Sequence, residues 1–465
     1  MDELLSNYPG SLSNLAVEAF GKYISDLLVH FVTFPQHTEK RDFKKDYILQ
    51  TCKRLEIMIE HMITPICANE VTQKLLKYID VTYRELLETV YWQCLDEISP
   101  ILVSAILHPS VTRIDSFKRR LHPSKNDNVY CWIPSIIFHA VHKLKHLQVL
   151  RCNRMAFQPD WFGEGLKVAE NLQEFQSQIC NDKVLEILSR TCKKLKVLDV
   201  SSSHVSDSCV KSILKFEQLE ILNTEYTRLS KTGMTNILKG FSQLRVSQHD
   251  SCNVSHKFRA LGCENLDLPE IIILADNFTN LNSLTLATFI NCSLDPLSKL
   301  NHLTKLTLKY VNFTRAEKVL RKIGNQLVSL SLSHTLDTDL EFISNNCQSL
   351  NCLHLDLVRF VYQNTKKITS PEFKSLLCLN IHLDDSSEIE YIASRCVNIK
   401  KLFIKNGAIS FLHRLIKREL LKKLEVIFWD SDSLQGIEVN VTESCVISTV
   451  VNFKTGTTIH SYRKI

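Results

Sequence analysis

Residues 303–357 read LTKLTLKYVNFTRAEKVLRKIGNQLVSLSLSHTLDTDLEFISNNCQSLNCLHLDL, and one pattern runs through them. It is L-x-x-L-x-L, met as Leu303-Leu306-Leu308, Leu327-Leu330-Leu332 and Leu350-Leu353-Leu355. The closing L-x-L has the period of a strand, so alternate side chains point to opposite faces. One face enters a core, and the other is left for solvent or a ligand.

Working outward, the pattern recurs with conservative replacements from residue 147 onward. Its first positions are Leu147, Leu172, Leu195, Leu219, Leu244, Leu281, Leu303, Leu327, Leu350, Leu376, Ile399 and Leu424. All but one of the spacings lie between 22 and 26 residues, inside the period of leucine-rich repeats, roughly 20–29. Between strands the apolar spacing becomes helical, as in Val184-Leu185-Ile187-Leu188 and Val210-Ile213-Leu214. One repeat cannot bury its own apolar side, so stacked neighbours must supply the core. The expected fold class is α/β: a leucine-rich-repeat solenoid, or horseshoe, of about 12 repeats over residues 126–430. The exception is the spacing of 37 between Leu244 and Leu281, where Ser247 to Leu268 is polar. That stretch reads as an insertion or loop.

The ends differ. Residues 1–125 lack the repeat and predict a helical module, with helices near 11–32, 43–62, 68–80 and 81–107. Pro100 should kink or split the last of these. Residues 431–465 alternate apolar and polar positions, as at Ile437, Val439 and Val441, and predict a β-rich C-terminal cap. Open solenoid ends expose core, so caps are expected.

Composition narrows the function. Fifty-six basic and 50 acidic residues leave a net charge of +6, too weak for the basic stripe of a nucleic-acid binder. No apolar run is long enough to cross a bilayer. Met1-Asp2-Glu3-Leu4-Leu5 has neither a basic nor an apolar signal region. The 16 cysteines are therefore expected to be reduced thiols in the cytoplasm or nucleus. Phosphate-loop, dinucleotide, nucleophile-elbow and H-E-x-x-H motifs are missing from the sequence, and no cofactor is implied. His139, His142 and His146 share a helix face but lack a fourth ligand at matching spacing. Asp384, Asp385, Glu388 and Glu390 read as a loop at a repeat edge rather than paired catalytic carboxylates. An enzyme is not expected.

Cys192, Cys347 and Cys396 each stand three residues before a motif's first position. With Thr191-Cys192-Lys193-Lys194-Leu195 through Val200, then Val205-Ser206-Asp207 and Cys209, the chain resembles the cysteine-containing leucine-rich-repeat family of F-box/LRR proteins and their relatives, over about residues 145–430. A second resemblance lies at the N-terminus. Ser11-Leu12, Ala16 and Phe20 look like the BC box by which LRR substrate receptors of cullin-RING ubiquitin ligases dock on elongin C. That resemblance implies Leu12 as anchor and Phe20 as a flanking contact, although the family prefers Cys where this chain has Ala16. A cullin-selecting segment would follow, and Pro65 with Val71, Leu75 and Leu76 is the candidate. Leu12, Leu15, Ala19 and Phe20 also suit a plain amphipathic stripe packed on neighbouring helices.

The concave strand face is the default surface for a protein partner. Lys305, Lys309, His354, Lys401, Phe403 and Lys405 are expected there. The lysines would suit an acidic peptide, with Phe403 or Phe428 as an anchor. Two functions remain open: a ligase substrate receptor, or a free-standing scaffold.

Overall fold

The computed structural model describes residues 12–33, 41–87, 92–116, 143–152, 166–178, 180–243, 257–288, 292–360, 373–383, 389, 392–393, 395–405, 426–431, 445–452 and 457–464. The chain forms two compact units, Met1–Leu219 and Glu220–Ile465.

Among the described residues, the first unit opens with four helices: α1 (Leu12–Thr33), α2 (Arg41–Met62), α3 (Ala68–Leu87) and α4 (Trp92–Ile106). The sequence led us to expect a boundary near residue 80 and a split at Pro100. Instead α3 runs on to Leu87, and α4 continues through Pro100. Proline inside a helix costs about 3 kcal/mol. Ile98, Leu102, Val103 and Ile106 are all buried around it, and each such burial is worth roughly 1.5–3 kcal/mol. Packing therefore outweighs the lost hydrogen bond. On α1, Gly21, Ile24, Leu28 and Val32 face the core. Gly21 is required by close approach, because a Cβ there would lie 2.2 Å from the Tyr78 ring of α3.

Four parallel strands follow in the same unit: β1 (Arg113–Ser116), β2 (Val149–Cys152), β3 (Glu174–Ser177) and β4 (Val197–Asp199). Ile114, Leu150, Phe175 and Leu198 are in register and fully buried. The strand series therefore starts with Val111 and Ile114, beyond the last helix expected from sequence and within the N-terminal 125 residues read as lacking the repeat. The helices are tied to these strands. Asn69 accepts from the backbone N–H of Thr112 and Arg113 at 2.9 and 3.1 Å. Lys143 meets Glu56 of α2 at 2.5 Å. Short helices α5 (Asp182–Thr191) and α6 (Val210–Ile213) back the later strands.

The second unit carries eight further parallel strands: β5 (Ile221–Asn223), β6 (Ala260–Glu264), β7 (Ser283–Ala287), β8 (Lys305–Lys309), β9 (Ser329–Ser333), β10 (Cys352–Asp356), β11 (Cys378–His382) and β12 (Lys401–Lys405). Parallel β13 (Val426–Ser431) comes next, and β15 (Thr457–Lys464) and β14 (Cys445–Asn452) finish the sheet in antiparallel order. Leu222, Leu261, Leu284, Leu306, Leu330, Leu353, Leu379 and Leu402 form one ladder. All eight are at most 3% exposed. Among the described residues four α-helices return the chain between strands: α7 (Lys231–Gln243), α8 (Leu268–Asn277), α9 (Phe313–Ile323) and α10 (Leu340–Asn346). Asn312 and Asp339 cap α9 and α10 by accepting the N–H of Thr314 and Phe342, as short polar residues at helix starts do.

The expectation at Leu244 needs correcting. The strand that pairs with β5 is β6, whose motif is Phe258-Leu261-Cys263. Stretch 247–268 is thus no mere insertion, since it contains a repeat strand. Phenylalanine holds the first leucine position because its ring packs between Phe241 and Phe278, at centroid distances of 4.9 and 5.3 Å. A search for leucine at both ends of the motif passes over it.

The junctions share one hydrogen-bond device. At the start of a strand, two successive N–H groups donate to a single carbonyl of the preceding repeat. Val328 and Ser329 both reach Thr304 O, and Asn351 and Cys352 both reach Val328 O. At the far end the direction reverses: Tyr310 N donates to Ser333 O, and His334 N to Asp356 O.

The motif cysteines prove structural. Cys192, Cys347 and Cys396 are buried, and burial pushes each thiol up to about 12. Cys192 Sγ donates to Ala169 O of the preceding repeat at 3.2 Å. Cys192 and Cys347 occupy the C-caps of α5 and α10. A small, weakly polar side chain fits that tight corner.

Candidate ligand-binding face

Along β7 to β12 the even positions of each strand are buried and the first and third face away from the core. That outward face is the candidate site. Its first row is Ser283, Lys305, Ser329, Cys352, Cys378 and Lys401, in register. Its middle row includes Thr307, Ser331, His354, Asn380 and Phe403. At the strand ends Lys309, Ser333, Asp356, His382 and Lys405 stand side by side.

The residues named from sequence therefore share one sheet face, but the lysines do not make one patch. Lys305 and Lys401 are four strand spacings apart, about 19 Å at ~4.8 Å each. Between them lie Ser329, Cys352 and Cys378, and in the last row Asp356 stands between Lys309 and Lys405. Lys309 is also occupied: Nζ is 2.9 Å from Glu225 Oε1 and 5.1 Å from the centre of the Tyr226 ring. The lysine side chain is 21% exposed and the glutamate 7%, so this is a covered pair rather than a loose surface contact. Lys405 lies on β12, and its side chain is outside the described residues.

Sequence reading missed the partners at this edge. Beside Lys309, Tyr310 stacks on His334, rings 4.8 Å apart and 6° from parallel. Tyr226, Tyr310 and His334 each hold a positive φ near 55°, a conformation that bulky side chains rarely adopt. All three lie seven residues after a motif's first position, and aligning the repeats by column would have exposed them. Asp356 is the hub of the next group. Ser333 Oγ donates to its Oδ2 at 2.8 Å, and His382 Nδ1 lies 2.6 Å from its Oδ1. Burial opposes ionisation here, but the hydrogen bonds from Ser333 and His382 prevail and hold the carboxyl below its usual range. The serine bonds to the aspartate and not to the histidine, which is not the order that activates a hydroxyl nucleophile.

His354 sits beside this group, and its pKa is lowered, first by burial and then by the charges of His382 and Lys309, with Asp356 opposing. Its unfolded counterpart takes a proton near pH 6.5. The folded state resists that proton, so this contribution is complete above about pH 6.5 and is lost as pH falls toward the folded pKa. The stability lost between pH 7.5 and 5.5 should be smaller in His354→Gln than in wild type. Urea unfolding at the two pH values measures it, and equal losses would refute the assignment.

Of the other sequence candidates, Leu75 and Leu76 are buried in α3. They are core residues and cannot also be the cullin-facing positions suggested for them. His139, His142 and the acidic residues 384, 385, 388 and 390 lie outside the described residues. Among the described residues no three or more His, Cys, Asp or Glu groups converge as a metal site. No described helix is long and apolar enough to cross a membrane. On α1, Ala16 is exposed, Phe20 is partly covered, and Tyr23 is 47% exposed and stacked on Phe20 at 6.2 Å. The Leu12 side chain is outside the described residues.

These strands, ladders and returning helices define a leucine-rich-repeat protein of the α/β class. No family model matches the chain, and no curated protein sequence does. Among solved structures it is similar to the yeast Rad7 and Elc1 complex, with 14% identity, 86% of this chain and 94% of that chain covered, and a TM-score of 0.38. It is similar also to an internalin (inlF) from Listeria monocytogenes, with 16% identity, coverage of 63% and 69%, and a TM-score of 0.31. A leucine-rich-repeat protein of Leptospira interrogans gives 17% identity, coverage of 63% and 87%, and a TM-score of 0.30. The fold rests on the strand register above and not on these likenesses.

Proposed function

We propose that the chain is a non-enzymatic substrate-recognition subunit of a cullin-RING ubiquitin ligase. In this reading α1 docks on elongin C through Leu12, Ala16 and Phe20, and a cullin joins through that adaptor. The outward strand face holds a protein substrate, with Lys305, Lys401 and Phe403 as contacts and the ion-paired Lys309, His354 and Lys405 bordering them. The observation that supports it best is on α1. Its Gly21–Ile24–Leu28 side is buried, while Ala16, Phe20 and Tyr23 form a helix-spaced stripe left largely uncovered. Apolar and aromatic surface kept out of a core is the mark of a docking helix. A plain packing stripe would have buried Ala19 and Phe20, and Ala19 is exposed.

The test uses the full chain, because the N-terminal helices are bonded to the first strands. Wild type should co-elute stoichiometrically with purified elongin B and elongin C. Phe20→Lys should weaken that binding at least about tenfold, at roughly 1.4 kcal/mol per factor of ten, with an unchanged circular-dichroism spectrum. A folded wild-type chain that ignores the adaptor sinks the ligase reading and leaves a leucine-rich-repeat scaffold.

A further inference from the structure

Cys352 and Cys378 occupy the same register position on β10 and β11. Both are half-buried on the outward face, unlike Cys192, Cys209, Cys263, Cys347 and Cys396, which are sealed in the core. Neighbouring strands are about 4.8 Å apart, and a disulfide spans Cα pairs of about 4.4–6.8 Å. The two side chains leave neighbouring strands at one register position on the same face, and Ser329 on β9 stands beside Cys352 in that row. Lys305 and Lys401 flank the pair in the same row. Two adjacent thiols, a hydrogen-bond donor and a lysine on each side are the setting in which a thiolate becomes a nucleophile.

We propose that Cys352 and Cys378 are a reactive dithiol that a hydroperoxide converts to a cross-strand disulfide. Cys352 is the attacking group. The Cys378 thiol beside it is the largest influence; with help from Ser329 and Lys305, and against burial, it holds the Cys352 thiol below the ordinary range. The same pairing raises Cys378, which keeps its proton. The Cys352 thiolate attacks the peroxide O–O bond, taking one oxygen as sulfenic acid and releasing the other as alcohol or water. Cys378 then attacks that sulfur, the S–S bond forms, and water leaves with the thiol proton. Two electrons pass from the thiols to the peroxide, whose two oxygens end as water or alcohol. Sulfenic acids that meet a neighbouring thiol take this course. A bond in this place stays only half-covered on the outward face, open to reduction as labile disulfides are. The change would replace a thiolate between two lysines by a neutral bridge, on the face where a ligand would lie. The inference does not depend on the ligase reading.

The test treats the full-length protein with hydrogen peroxide at pH 7 and maps its thiols by peptide mass. Wild type should yield a linked 352–378 peptide pair that dithiothreitol separates. Cys378→Ser should stop at a sulfenic acid on Cys352, trapped by dimedone. Cys352→Ser should leave Cys378 at least about tenfold slower to react than Cys352 is in Cys378→Ser. The proposal is overturned if the wild-type pair stays reduced while other thiols oxidise, or if Cys352 links to a different cysteine. Should either variant misfold, the wild-type map still decides.

Discussion

Leu330→Ala is expected to cost the second unit about 2–5 kcal/mol, the range for truncating a fully buried leucine. Leu330 is 0% exposed and stands in register between Leu306 and Leu353, themselves at 1% and 0%. The vacancy cannot collapse easily, because both neighbours are held at fixed strand spacing. Stacked repeats draw their stability from nearest-neighbour contacts, so one missing side chain weakens two junctions. Urea unfolding should show a lower midpoint with the slope retained. Leu336→Ala is the control: that side chain is 47% exposed and its loss should change stability by less than about 0.5 kcal/mol. Equal effects at the two sites would overturn the ladder as the source of stability.

The second large effect is at Gly324, where α9 ends. A Cβ there would lie 2.3 Å from Asn346 O and 2.9 Å from Cys347 Sγ, at the end of α10. Its φ of −58° suits any residue, so conformation is not the reason for glycine. In such a helical setting Gly→Ala ordinarily stabilises by about 0.4–1 kcal/mol. Here the sign should reverse, to a loss of about 1–3 kcal/mol from overpacking against a backbone carbonyl. Thermal unfolding of Gly324→Ala reads the sign directly, and a raised midpoint would refute the close contact.

Sequence carried the fold where the leucines carried it. Leu303-Leu306-Leu308 could be read as a strand because its apolar positions and their period are chemically plain. Phe258-Leu261-Cys263 escaped because aromatic packing with Phe241 and Phe278 decides its first residue, and those contacts are tertiary. Val111 and Ile114 escaped for a different reason: their partner strand begins 36 residues later, beyond the leucine-rich-repeat period of roughly 20–29. The candidate face was legible as a face, since alternation alone sends Lys305, His354 and Phe403 outward. Its pairings were not. Glu225 and Lys309 are 84 residues apart, and only the turn after β5 brings them together. Cys352 and Cys378 become neighbours only once the repeats are laid in register.

The shared carbonyls at the strand starts have a further consequence. The repeats are so alike that a strand sliding by two residues would still set leucine against leucine, and hydrophobic burial alone would barely distinguish the two alignments. A carbonyl already accepting two consecutive N–H groups has no lone pair for a displaced strand. At the other end, the reversed bonds from Tyr310 and His334 would be pulled out of reach. The molecule thus holds its count as well as its shape: each repeat is indexed to its neighbour by polar contacts, while the leucines, interchangeable among themselves, supply only the adhesion.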